Sequence, residues 1–254
     1  MTASTGMDGT ADGAHVRDAI RAEFIRERGY WRPWTETLLR EHPAFLQGYA
    51  RYAGHPARHG PLGERMVELI YVALDASGSH LFEAGVRTHM ARAIELGVRP
   101  AELFDVLHLV AAQGLDGVTQ GAALLAEECG MGGMGGDRTG KRADADADPL
   151  SALAALDPAY AAAVRDFLAL PSPGAGLTDA EKCLLRVALA ACFTAHHPQA
   201  LRQHLRAGLA LGLPPAALLQ AIQLGAHLAV HGTALGAQVY ASLAGAGQAD
   251  TDSP

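Results

Sequence analysis

A repetition constrains this chain more than any other feature. Residues 68–97, ELIYVALDASGSHLFEAGVRTHMARAIELG, return in altered form as residues 183–212, CLLRVALAACFTAHHPQALRQHLRAGLALG. The offset is 115 positions without a gap, so His89 matches His204 and Gly97 matches Gly212. Pro43 and Pro158, Leu69 and Leu184, and Pro100 and Pro215 follow the same offset. The prolines and glycines hold loop and cap positions, and the apolar residues hold core positions. A constant register over such a length is the mark of an internal duplication. It implies two copies of one helical unit, packed as a pseudo-symmetric pair to cover their apolar faces.

The copies read as helices. Apolar residues make up 49% of the chain and aromatic ones only 6%, a balance that favours closely packed helices over a sheet. Amphipathic spacing predicts helices over 16–28, over 35–52 with an interruption near Pro43, over 62–76 and over 81–96. Gly97 suits the left-handed cap that closes the last of these. Pro100 opens a further helix that runs to about 128 with a break near Gly114. HPARHGP, residues 55–61, reads as a loop. The resulting division is a disordered N-terminus over 1–14, a first repeat over 15–128, a flexible Gly/Asp-rich linker over 129–148, a second repeat over 149–246 and a disordered tail over 247–254.

Charge and composition exclude several functions. A net charge of −7 and the lack of a long basic run argue against nucleic acid as a partner. No apolar run reaches membrane-spanning length free of charged residues or His, so no membrane partner is expected. The first residues lack the basic and apolar regions of a signal peptide, and a cytoplasmic location is expected. Three cysteines, Cys129, Cys183 and Cys192, form no C-x-x-C pair. Cys183 and Cys192 read as small buried hydrophobes, and Cys129 as a free thiol near solvent. GMGGMGG, residues 130–136, lacks the Lys-Ser/Thr of a phosphate loop, so no nucleotide cofactor is expected.

Few residues can carry chemistry. His89 shares a helix face with Phe82, Val86, Ala93 and Ile94, and His204 recurs at the same place in the second copy. Such a histidine is either a core residue satisfied by a hydrogen bond or a general acid–base group, since partial burial moves an imidazole across neutral pH. Glu68 interrupts the apolar run VELIYVAL; it is either a surface carboxylate or the partner that tunes or orients the histidine. Cys183 stands at its place in the second copy. Ser79, His80 and Glu83 begin the His89 helix; capping accounts for Ser79 and Glu83 but not for His80. His227 and His231 are spaced i, i+4 and could bind a divalent metal with His196, His197 or His204 as a third ligand. No cofactor is required by any motif, and a metal stays an alternative.

The order of helix with Glu, small-residue turn, helix with His, glycine, x-x-Pro and amphipathic helix resembles the carboxymuconolactone decarboxylase family. That family is similar in fold to the alkylhydroperoxidase D group. The resemblance covers 43–125 and, in weaker form, 158–240. It implies an all-α protein, here two tandem repeats of an alkylhydroperoxidase D-like helical bundle, that assembles into homo-oligomers of trimeric or hexameric kind. The peroxidase branch places C-x-x-C before its active histidine; here those positions hold Phe82 and Gly85, and His197 and Ala200. The resemblance therefore does not imply thiol peroxidase activity. It implies a carbon–carbon lyase acting on a small carboxylated or lactone substrate. His89 would be the acid–base group, aided by Glu68, His80 and Glu83. Arg87, Arg92, His204 and His231 would bind substrate, an arginine gripping a carboxylate with its bidentate fork. Two alternatives stay open: a metal-dependent enzyme built on the second-copy histidines, and a non-catalytic small-molecule-binding or assembly homologue.

Overall fold

The computed structural model describes residues 8–131, 148–172 and 174–251. Side chains are described from residue 13, apart from that of His227, and up to residue 245. The described residues form helices and turns, with no strand among them. No helix among them is long and apolar enough to cross a membrane. The chain divides into two compact units that cut across the sequence-based division. One comprises 62–225; the other joins 1–61 to 226–254.

The unit 62–225 is built around two helices buried on nearly every side, α4 (Glu64–Ala76) and α10 (Asp179–Ala191). Leu69, Ile70 and Leu74 of α4 and Leu185 and Val187 of α10 are fully enclosed. Each such side chain contributes about 1.5–3 kcal/mol on leaving water. Around α4 lie α5 (Glu83–Glu95) and α6 (Pro100–Ala112); around α10 lie α11 (Pro198–Ala210) and α12 (Pro215–Leu224). The two central helices pack on each other, and crosswise α4 meets α12 while α10 meets α6. All three helix pairs begin 115 positions apart. Two polar clamps tie the groups together. Arg65 pairs with Glu102 and Glu181, and Lys182 pairs with Asp105 at 3.3 Å.

The turns match as closely as the helices. Leu81 and His196 take left-handed backbone conformations, φ 49° and 40°, at the residue before each N-cap. Phe82 N–H then donates to the Asp75 carbonyl, and His197 N–H to the Ala190 carbonyl. Gly97 and Gly212 close α5 and α11 at φ 82° and 80°. In each case the following N–H reaches five residues back, from Val98 to Ala93 and from Leu213 to Gly208. This is the paired-bond cap that needs a left-handed residue. Pro100 and Pro215 stand at the first helical position, where a missing N–H costs nothing. The remainder of this unit is α7 (Gly114–Glu128), α8 (Ser151–Leu156) and α9 (Pro158–Leu168), with α7 packed on α8. Leu150, Leu153, Ala161 and Val164 form their core with Ala122.

The other unit holds α1 (Asp8–Arg28), α2 (Pro33–Glu41), α3 (Pro43–His59) and α13 (Val230–Thr251), with α13 packed on α2. Its core centres on Phe24, whose ring meets those of Tyr30, Trp31, Trp34 and Tyr49. The WRPW segment thus turns the chain and fills the core at once, with Pro33 opening α2.

Three sequence expectations change. Helix α1 begins at Asp8, inside the segment read as disordered. Helix α3 runs through Pro56 to His59, so 55–61 is not a loop throughout; a proline is accommodated where neighbouring helices bury it. Helix α13 continues to Thr251, into the expected tail. Most of the expected linker, 132–147, lies outside the described residues, as do 1–7 and 252–254.

Candidate active site

Helices α4 and α5 bring two carboxylates to one imidazole. Glu68 and Asp75 lie seven residues apart, two turns of α4, so both face α5. His89 Nδ1 lies 2.8 Å from Glu68 Oε2. A carboxylate only accepts, so the Nδ1–H points at Glu68 and Nε2 carries the lone pair. His89 Nε2 then lies 3.8 Å from Asp75 Oδ2, and His80 Nε2 lies 3.6 Å from Asp75 Oδ1. The ring of Tyr71 packs on that of His89, centroids 4.6 Å apart. The His89 side chain is 22% exposed and Asp75 1%, so the imidazole is open to solvent while the carboxylate behind it is not.

Asp75 is the most perturbed group here. Burial raises its carboxyl to about 7, and the neighbouring His89 only partly offsets the rise. Burial also lowers His80. Neither Asp75 oxygen makes a hydrogen bond to a described residue. A buried carboxyl without such bonds is a costly arrangement. Gly85 permits it. A Cβ there would collide with the Asp75 carboxylate and the Phe82 ring, so only glycine lets α5 approach this acid.

The expected site residues separate into those that gather and those that do not. Glu68 and His89 are bonded to each other, and His80 and His89 both lie beside Asp75. Glu83 and Arg87 do not join them. They pair with each other at 2.9 Å on the solvent face of α5, 83% and 79% exposed. Positions six and two residues before His89 fall on other sides of a helix with 3.6 residues per turn. Arg92 is held by Glu64 and Glu95 at the surface. Ile94, placed on the His89 face from its spacing, is exposed. Asp75 was missed, although LIYVALDAS carries an acid within an apolar run, as Glu68 does.

His196, His197 and His204 have other surroundings. His204, on α11, faces a region where Cys183, Arg186 and Ala190 replace Glu68, Tyr71 and Asp75. Burial, with Arg186 and then His197 adding to it, lowers His204 to about 4. His197 caps α11, its Nδ1 accepting the Ala200 N–H at 3.1 Å. His196 is exposed in its left-handed turn. His196, His197 and His204 form no three-ligand group among the described residues. His227 stands on the 3-10 turn Gly225–Ala229, and His231 begins α13 in the other unit. The three cysteines are free, Cys183 and Cys192 buried and Cys129 exposed.

Among the described residues the fold is a strand-free bundle in which one helix presents two carboxylates to an imidazole on the next. Residues 43–128, which contain the whole His89 cluster, match the model of the Carboxymuconolactone decarboxylase family. A crystal structure from Burkholderia xenovorans agrees. Its protein, provisionally named a gamma-carboxymuconolactone decarboxylase subunit, is 25% identical and superposes with a TM-score of 0.78 over 91% of this chain and 98% of its own. No curated protein matches the sequence.

Proposed function

We propose that this protein is an acid–base enzyme that decarboxylates or isomerises a small carboxylated or lactone substrate at His89. The observation that carries the reading is the imidazole flanked by Glu68 on Nδ1 and Asp75 beyond Nε2. In decarboxylation the bond to the carboxylate breaks and its electron pair moves into the conjugated lactone carbonyl. Carbon dioxide leaves, and the ring carbon takes up one proton. The protein's task is to hold and deliver that proton. Asp75, raised to about 7, is partly protonated at neutral pH and faces the lone pair of Nε2. Proton exchange between them charges the imidazole, and Glu68 stabilises the charged ring. Isomerisation uses the same pair to remove a proton from one carbon and return it to another.

The 115-residue offset is best understood as a gene duplication in which the first copy keeps the acid–base centre and the second has lost both carboxylates. Assembly into a homo-oligomer fits the exposed Leu235, Val239 and Leu243, which recur every four residues along α13. Light scattering on the purified chain tests that assembly. The catalytic reading is tested by carbon dioxide release from γ-carboxymuconolactone and a panel of small β-keto acids. Glu68→Gln is expected to lower turnover about tenfold to a hundredfold by removing the partner of the charged ring. Turnover equal to that of the unaltered protein would remove Glu68 from the mechanism.

A further inference from the structure

The unit 62–225 contains a cavity of about 490 Å³, lined by residues of α6, α7, α9, α10 and α11 and by the segment before α8. It lies beside His204, and none of the His89 cluster lines it. Its volume falls in the range of small-molecule sites. Leu109, Leu115 and Leu189 supply apolar wall. Two polar groups on this wall lack partners. Arg186 makes no ion pair or hydrogen bond with any described residue. His197 has its Nδ1 taken by the Ala200 N–H, which places the ring proton on Nε2. That Nε2 is buried and has no partner among the described residues.

We infer that this cavity is a second ligand site, separate from the His89 centre, for a small carboxylic acid with an apolar body. The ligand carboxylate pairs with the Arg186 guanidinium and accepts from His197 Nε2–H, while its ring or chain lies against the leucines. A buried donor left unpaired is costly, and an arriving acceptor recovers that cost. Arginine presents a fork matched to a carboxylate. The Asp116 carboxyl lines the same wall; burial raises it, and the neighbouring His197 partly offsets the rise. The first copy has Tyr71 and Phe82 at the matching positions, so both polar groups are particular to the second.

Isothermal titration calorimetry with benzoate, and with benzamide as its neutral counterpart, tests the site. Benzoate is expected to bind with one site per chain, and benzamide at least about tenfold more weakly. Arg186→Met should weaken benzoate about tenfold. His197→Asn keeps a residue that can cap α11 but removes the Nε2–H; it should weaken benzoate about threefold to tenfold with an unchanged melting temperature. His89→Gln should leave benzoate affinity as it was. No saturable binding by about 10 mM benzoate, or wild-type affinity in Arg186→Met, would overturn the inference. So would loss of binding in His89→Gln, which would place the ligand at the first centre.

Discussion

His89 and His204 occupy the same position of two helices that begin, turn and end alike, yet they sit in opposite chemical surroundings. His89 has a carboxylate bonded to one nitrogen and a second carboxylate beyond the other. His204 has a cysteine, an arginine and an alanine at the corresponding positions, and is held uncharged down to about pH 4. Even the backbone follows. Gly85 faces Asp75 in the first copy, while the second pairs Ala200 with Ala190. A buried acid requires the missing Cβ; two alanines do not. Three or four side chains thus decide what a shared scaffold can do, and the scaffold itself is indifferent to them.

Making the first copy resemble the second gives the largest effect. Glu68→Cys with Asp75→Ala should reduce turnover of an identified substrate about 10²- to 10⁴-fold, measured as carbon dioxide release, with the helical circular dichroism spectrum retained. The glycine rule comes next. Gly85→Ala should cost about 1–3 kcal/mol in chemical denaturation, because its methyl group enters the space of the Asp75 carboxylate. Adding Asp75→Ala should recover most of that loss, and a double-mutant cycle that shows simple additivity would break the proposed pairing.

The pH dependence of stability should run in opposite directions in the two copies. The Asp75 carboxyl is raised to about 7 from an ordinary 3.8, so the native state holds its proton where the unfolded state has lost it. Its stabilising contribution is therefore complete below the ordinary value and disappears as pH rises to about 7. Asp75→Asn should gain on the unaltered protein by about 2 kcal/mol more at pH 8 than at pH 5. His204, lowered to about 4 from 6.5, does the reverse: the unfolded state takes up a proton that the native state refuses, and stability is lost as pH falls from 6.5 to 4. His204→Gln should gain by roughly 1–2 kcal/mol more at pH 4.5 than at pH 7.5. Melting temperatures of the three proteins across this range check both signs.

The helical architecture was legible because periodicity and caps are local. The breaks near Pro43 and Gly114 and the caps at Gly97 and Gly212 lie where the sequence places them. The two compact units were not legible, since exchange of α7 and α13 between the first helices of opposite copies is a tertiary choice. In the site, Glu68 and His89 could be paired from their helices. Asp75 could not be distinguished from an ordinary helix-end acid, because its significance lies in its burial and in the glycine opposite. Glu83 and Arg87 were chosen for proximity in sequence, and the turn of α5 carries them to solvent. Arg186 gave no signal, since it is an exposed arginine and only the neighbouring cavity sets it apart from other surface residues.

The most direct test is carbon dioxide release from γ-carboxymuconolactone and small β-keto acids by the unaltered protein and by His89→Gln. Turnover by the former that falls about 10²- to 10⁴-fold in the latter, without a change in melting temperature large enough to explain it, is the predicted result. Turnover that survives His89→Gln at the original rate would contradict the assignment of the acid–base centre to the first copy.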